Sequence, residues 1–411
     1  MRGRWGATGR FVSDSMSIEP TTPEIPLPVN GHRSHPSPLS IAMVGLRGIP
    51  ATHGGVERAV EGLSVELVKL GHSVTVYSRR AYVEARPSEY RGVAIEYLPQ
   101  IDTKHLEAAT HTPLAMAHAI RARRHDLVHV HALGPALFSF MPRLARTPVV
   151  ATVHALDWKR EKWGGFASRI LRLGARAAVT LPQRTIVVSH AVGEGLAARG
   201  GRPVTYIPNG VDMSEFEDAT PVPGLEPDRF VLFLGRLVPE KGLHTLLDAF
   251  ARTDLPHKLA VVGAEGHAKA YEAKVTRMAA ADPRVVLLGP RYGPEKAWLL
   301  RNAAAYVQPS TLEGLPITLM EAAACGRYPI VSDIPENLEV LAGDGPLRGL
   351  AFRTGDSHDL SAKLQQALSD PERERIGREA GELVRARFDW AEIARATERE
   401  YDLALGRPAS A

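Results

Sequence analysis

From residue 40 onward, short apolar runs alternate with stretches in which apolar positions recur every three or four residues. The first runs lie at 41–45, 74–78, 127–131, 149–154 and 185–189. They are rich in Val, Ile and Leu and have the length of strands buried on both faces. Helical stretches fall between them. The clearest spans 56–70, apolar at Val56, Val60, Leu63, Leu67 and Leu70, with Gly71 placed to end it. A second set of strands is expected at 204–207, 230–234, 259–263, 285–289, 305–308 and 328–332. Strands separated by helices imply crossover connections and parallel sheets. Two successive sets therefore predict an α/β chain with two Rossmann-like β/α/β domains. The expected divisions are a tail at 1–39, a first domain at 40–206, a second at 207–387 and a last helical segment at 388–411. The tail carries Pro20, Pro23, Pro26, Pro28, Pro36 and Pro38 and no apolar period, so it reads as disordered. Pro208-Asn209-Gly210 marks the hinge region, and 215–228 reads as a surface loop.

Two strand-to-helix loops carry the candidate chemistry, because ligands in open α/β sheets bind at that edge. The run 230–234 ends in Gly235-Arg236-Leu237-Val238-Pro239-Glu240-Lys241-Gly242. Arg236 offers a planar fork to phosphate oxygens and Lys241 a point charge. The run 305–308 leads through Pro309 and Ser310 to Glu313-Gly314-Leu315-Pro316, then to a helix holding Glu321. Pro316 suits the first turn of that helix. The unpaired backbone N–H groups at its start suit an anion, and two carboxylates beside them can accept from sugar or ribose hydroxyls. Alone, either loop also reads as solvated surface; together, each behind its own buried strand, they point to a nucleotide-linked ligand.

On these residues the chain resembles the retaining glycosyltransferases of the GT-B fold, in family 4. The loop at 235–242 and the Glu-x7-Glu segment at 313–321 carry the resemblance, with Ile207-Pro208-Asn209-Gly210-Val211-Asp212 at the junction and Gly45-Leu46-Arg47-Gly48-Ile49-Pro50 near the start. It extends from about residue 40 to the end. It implies two domains facing across a cleft, with the chain crossing back to the first domain at Phe388-Asp389-Trp390. It implies a nucleotide-diphosphate sugar held by the second domain, with Glu321 at the ribose and Arg236 and Lys241 at the diphosphate beside Gly235. Glu313 and the backbone around Gly314 and Leu315 would hold the donor sugar. The resemblance also implies a same-face displacement in which the leaving phosphate takes the acceptor proton.

The first domain offers three further features. The loop at 45–55 is glycine-rich, and Gly48, Gly54 and Gly55 permit close backbone approach ahead of a helix expected to start at Val56, whose N-terminus could face a phosphate; the resemblance implies that Gly54 and Gly55 approach the donor diphosphate. Arg47 and Glu57 flank it. This is neither a G-x-G-x-x-G fingerprint nor a P-loop. His154 ends its strand at the cleft edge. The resemblance places it near the donor sugar hydroxyls, and Asp157 at the acceptor or orienting His154. His129 reads as a packed strand residue and His131 as a cleft candidate. Arg169, Arg172 and Arg176 recur at helical spacing, with Phe166, Ile170, Leu173 and Ala177 on another face. With Lys159, Arg160, Lys162, Trp158 and Trp163 just before, this fits either a membrane surface or an ordinary solvated helix face.

Charge sharpens this. The net +4 of the chain conceals 22 Lys/Arg against 12 Asp/Glu over 41–204 and 24 against 31 over 205–411. A basic first half suggests an anionic partner. No nucleic-acid motif accompanies it, which leaves an anionic membrane surface or an anionic, lipid-linked or saccharide acceptor. Cys325 is the only cysteine, so internal disulfides and cysteine-rich metal sites are excluded, and a buried structural thiol is expected. No Asp-x-Asp occurs and no ligand-spaced His/Cys/Asp cluster is visible, so no metal and no cofactor besides the donor substrate are expected. Neither an apolar span of about 20 residues nor a signal-like apolar segment after Arg2, Arg4 and Arg10 is present. The expectation is a cytoplasmic enzyme working at the inner face of the cytoplasmic membrane. An epimerase or phosphorylase on the same fold, or a non-catalytic nucleotide- or glycan-binding protein, are the rivals; no acid/base pair for the first or pyridoxal lysine for the second is identified. The residues leave open the donor sugar, the base and the acceptor.

Overall fold

The structure is a computed structural model that describes residues 38–408 except 53, 102, 104–106, 122–123, 160–164, 264–267 and 342–349. The tail, Arg160, Lys162 and Trp163 thus lie outside the described residues.

The first set of apolar runs forms one sheet of β1 (Ser40–Val44), β2 (Ser73–Arg79), β3 (Glu89–Tyr90), β4 (Val93–Leu98), β5 (Leu127–His131), β6 (Val149–Val153), β7 (Arg184–Val187) and β8 (Thr205–Tyr206). Its order is β3-β4-β2-β1-β5-β6-β7-β8. Every pairing is parallel except β3 with β4. The second set forms β9 (Phe230–Leu234), β10 (Lys258–Val262), β11 (Val285–Gly289), β12 (Ala305–Gln308), β13 (Tyr328–Ser332) and β14 (Ala351–Phe352), all parallel, in the order β11-β10-β9-β12-β13-β14. The central strands β5 and β6 are buried at every position, which explains their mostly apolar character; His129, His131 and Thr152 are the buried polar exceptions. Helices fill the gaps and cover the faces, giving two parallel-sheet α/β domains.

Three expectations need correction. The run at 204–207 does not open the second sheet; it supplies β8, paired with β7 at the edge of the first. The pieces β3, β4 and β14 escaped the pattern reading: β3 and β14 have two residues each, and β4, Val-Ala-Ile-Glu-Tyr-Leu, is interrupted by Glu96 and buried only in part. The segment at 215–228 is no simple surface loop, because Phe216, Val222 and Leu225 are buried in the second core.

The Trp390–Ala404 helix packs on the first domain, with Trp390, Ile393, Ala394, Tyr401 and Ala404 in a cluster that includes Ile41, Val60 and Leu67. Asp389 caps it, accepting from the N–H groups of Ala391 at 2.8 Å and Glu392 at 3.1 Å. A Cβ on Gly62 or Gly210 would sit 2.5 Å from the Trp390 ring, so both glycines admit the indole.

Candidate active site

A cavity of about 340 Å³ lies between the domains, at the C-terminal edges of both sheets. It is lined from the second domain by Gly235, Arg236, Lys241, Glu313, Gly314 and Leu315, and from the first by Gly54, Gly55, His154 and Asp157. One predicted site residue, Glu321, is absent from that wall and lies behind it.

The second-domain wall is built as the sequence suggests. After β9, Val238 bends into the 3-10 turn Pro239–Lys241, and Gly242, at φ 68°, starts the Leu243–Ala251 helix. A Cβ on Gly242 would meet the Pro309 carbonyl oxygen at 1.9 Å, so only glycine lets the two ligand loops pack together. The result is contact: Lys241 Nζ donates to Glu313 Oε1 at 2.6 Å. Gln308, ending β12, donates to the same oxygen at 2.6 Å. Arg236 points along the loop, 4.0 Å from Glu240. Pro316 is the residue before the Ile317–Ala324 helix rather than within its first turn.

Glu321 is 2% exposed. Both of its oxygens lie 2.7 Å from Lys296 Nζ, and Arg58 of the first domain reaches Oε1 at 3.0 Å. Arg58 also pairs with Glu215. Burial alone would raise the Glu321 carboxyl, but Lys296 and Arg58 hold it below its ordinary value of 4.5. Lys296 in turn is pulled down by burial against the pull of Glu321. Arg58 and Lys296 both line the cavity. Sequence reading missed both. Lys296 stands between Glu295 and Ala297 without a motif, and only the packing of the Gly293–Asn302 helix turns it inward.

In the first domain the helix begins at Gly55, one residue before the expected Val56. Two buried carboxylates pin the loop before it. Glu57 accepts from the Arg47 N–H at 3.2 Å, with Arg47 Nε at 3.3 Å, and Glu61 accepts from the Ala51 N–H at 2.6 Å. Gly54 has φ 105°, and a Cβ there would lie 1.9 Å from Glu57 Oε2. Across the cleft, a Cβ on Gly314 would lie 1.7 Å from the backbone oxygen of His154. The domains therefore touch where the two predicted sugar-binding elements meet.

His154 is held in a group of histidines. Its Nε2 lies 3.1 Å from His131 Nδ1. His131 and His129 are buried, and His129 bonds Tyr401 Oη and Thr152 Oγ1, each at 2.7 Å. His131 sits behind His154 and is not on the cavity wall. Burial lowers His154 to about 4 and His129 to about 3, so both rings are neutral at physiological pH. Cys325 is half-buried against the second core rather than fully enclosed as expected, its thiol pushed up to about 12 by burial. Among the described residues no group of three or more His, Cys, Asp or Glu is arranged to hold a metal ion.

Residues 53–215 match the family model described as Glycosyltransferase Family 4, and 216–383 match the model described as Glycosyl transferases group 1. The chain is 29% identical over 376 residues to a phosphatidyl-myo-inositol mannosyltransferase of Mycobacterium tuberculosis, covering 86% of this chain and 94% of the relative. It is 28% identical over 397 residues to a glycogen synthase of the same organism, covering 88% and 94%. Among solved structures it is similar to Anabaena HepE in complex with UDP and glucose, with TM-score 0.73, 19% identity and coverage of 89% and 99%. It is also similar to a sucrose-phosphate synthase from Thermosynechococcus elongatus, with TM-score 0.74, 21% identity and coverage of 90% and 99%.

Proposed function

We propose that the chain, which belongs to the family 4 glycosyltransferases of the GT-B fold, takes a nucleotide-sugar donor and transfers a hexose with retention, without a metal ion, to a glycolipid or saccharide acceptor. The observation that carries this reading is convergence. Arg236, Lys241, Glu313 and the start of the Ile317–Ala324 helix face one cavity, opposite His154, Asp157 and the Gly54-Gly55 helix start.

In this reading Arg236, Lys241 and the N-terminal amides of the two facing helices neutralise the donor diphosphate. Glu313, fixed by Lys241 and Gln308, accepts from donor-sugar hydroxyls, and the Gly314 and Leu315 amides lie beside it. The C1–O bond to the phosphate breaks as the acceptor oxygen approaches the same face of the sugar. The acceptor proton passes to the departing diphosphate oxygen. Catalysis is then mainly electrostatic and positional, since negative charge grows where the cations and amides already point. For Glu321 to accept from ribose hydroxyls, its contact with Arg58 must give way as donor binds. Asp157 stands where it can meet the acceptor.

Transfer of labelled sugar from a panel of nucleotide sugars to lipid-linked and soluble acceptors tests the reading. Activity is expected to persist in excess chelator, because the diphosphate charge is met by Arg236 and Lys241. Loss of activity there, restored by magnesium or manganese, would overturn metal independence. An inverted anomeric product would overturn retention.

We place the acceptor side of the enzyme on the inner face of the cytoplasmic membrane. Among the described residues no helix is long and apolar enough to cross a membrane. The Gly165–Thr180 helix instead offers a surface. The sequence set Ile170 and Leu173 on a face apart from the arginines; in the structure both are exposed, and Leu171, Ala175, Ala178 and Val179 pack inward. Leu173 is 61% exposed, and it shares the outer face with Arg169, Arg172 and Arg176. Arg143 Nη1 bonds the Leu181 carbonyl at 2.6 Å, bringing the Phe140–Leu144 helix and its 80%-exposed Leu144 alongside. Apolar side chains among arginines suit an anionic lipid interface. Each basic residue near such a surface contributes about 1 kcal/mol. Arg172→Glu with Arg176→Glu should therefore abolish sedimentation with anionic vesicles while leaving transfer to a soluble acceptor intact. If the wild-type protein ignores anionic vesicles at low salt, the docking idea fails.

A further inference from the structure

We infer that Met43 and His131 are positioning residues that hold His154 in one neutral tautomer, with a bare Nδ1 that accepts a hydrogen bond from a donor-sugar hydroxyl. The inference rests on the reading that places the donor sugar beside His154.

The chain of contacts crosses three adjacent strands at their C-terminal edge. Met43 lies in β1, His131 ends β5, and His154 follows β6. Met43 Sδ is 3.4 Å from His131 Nε2, and His131 Nδ1 is 3.1 Å from His154 Nε2. Both histidine rings are neutral: burial lowers each, and no carboxylate acts on either one among the described residues.

Two neutral imidazoles that face each other through one nitrogen each must share a single proton, and the far partner decides which ring owns it. The thioether sulfur carries no proton and can only accept. His131 therefore places its hydrogen on Nε2, toward Met43. The opposite tautomer would set a ring lone pair against the sulfur lone pairs in a dry interior. His131 Nδ1 is then bare and accepts from His154 Nε2–H. That leaves the lone pair of His154 on Nδ1, a buried atom with no hydrogen-bond partner among the described residues, on a ring that lines the cavity.

His129 does not compete for this proton. Its two nitrogens are taken by Tyr401 and Thr152. It packs against His131 with ring centroids 4.2 Å apart and the planes tilted by 34°. The relay thus turns a ring that could donate or accept into one that only accepts. A donor sugar must present a hydroxyl there, and a deoxy or O-methyl analogue leaves Nδ1 unsatisfied in a closed cleft.

Ring-nitrogen-labelled histidine in the full, ligand-free chain gives a direct readout. Long-range proton–nitrogen correlation at neutral pH reports which imidazole nitrogen carries the hydrogen, and His154→Gln identifies the signal. The expected result is a His154 ring protonated on Nε2 and bare on Nδ1. Met43→Leu keeps the volume but removes the acceptor, and should shift His154 toward a mixture of tautomers. The remaining histidine signals and the melting temperature report whether that variant folds. Transfer by Met43→Leu should fall roughly 3- to 10-fold, the value of one hydrogen bond, with the acceptor KM unchanged. A wild-type His154 protonated on Nδ1, or a tautomer unchanged in Met43→Leu, would overturn the relay. The sugar placement is tested separately with monodeoxy donors. If the tautomer is as expected but no monodeoxy donor is turned over more slowly than its parent, the relay stands and the hydroxyl contact falls.

Discussion

Lys296→Met is expected to lower stability by about 3–5 kcal/mol, the cost of leaving a buried charge without its partner. Glu321 is almost fully enclosed, and Lys296 contacts both of its oxygens. With methionine in place, Arg58, from the opposite domain, is the cation left at the carboxylate among the described residues. Chemical denaturation at neutral pH should show the loss directly. The pH dependence gives a second signature. Because the folded-state value of Glu321 is depressed, its contribution is fully present above the unfolded value of 4.5 and is lost as pH falls through the lower folded value. In the variant that depression shrinks. The stability gap between wild type and Lys296→Met should therefore be widest near neutral pH and narrow below about pH 4.5. A pH-independent gap would mean that packing, rather than the ion pair, accounts for the loss. Pairing Lys296→Met with Glu321→Leu should recover part of the stability, since an apolar pair of similar volume avoids the desolvation cost. Donor affinity should not recover with it if Glu321 accepts from the ribose.

Lys241→Ala should reduce sugar transfer roughly 10- to 100-fold, corresponding to about 1.5–3 kcal/mol for a charge-assisted hydrogen bond. Two roles converge on this side chain. It faces the cavity where the diphosphate is proposed to lie, and it holds Glu313 at 2.6 Å. Glu313→Gln separates them. That variant keeps Lys241 for the diphosphate but removes the carboxylate proposed to grip the sugar, so inhibition by the free nucleoside diphosphate should stay near wild type while turnover collapses. In Lys241→Ala both should weaken. Full transfer activity in Lys241→Ala would remove the diphosphate assignment. The sequence alone suggested a lysine free to serve only the donor; the 2.6 Å contact with a largely buried carboxylate adds a stability cost to its loss.

The alternation of apolar runs and helical stretches determined the class of fold, because a strand buried on both faces is mostly apolar and a helix packed on one face is not. The same local logic placed Arg236, Lys241, Glu313 and His154 at strand C-termini, where the cavity is found. Short or half-polar strands were not legible. β3 and β14 have two residues each, and β4 is interrupted by Glu96 and buried only in part, so their place depends on a neighbour already in the sheet. The outward turn of Ile170 and Leu173 was likewise invisible, since helical periodicity marks two apolar faces in that helix without saying which one meets Leu133.

Only the tertiary structure decided which charges meet. Lys296 and Arg58 belong to no motif, lie far apart in the chain and come from opposite domains, yet both close on Glu321. Met43, His131 and His154 are similarly joined only because β1, β5 and β6 lie side by side. Local sequence carries the periodicity and turn chemistry of each element. Contacts between elements depend on domain closure and sheet order, which bring together side chains that no spacing along the chain relates.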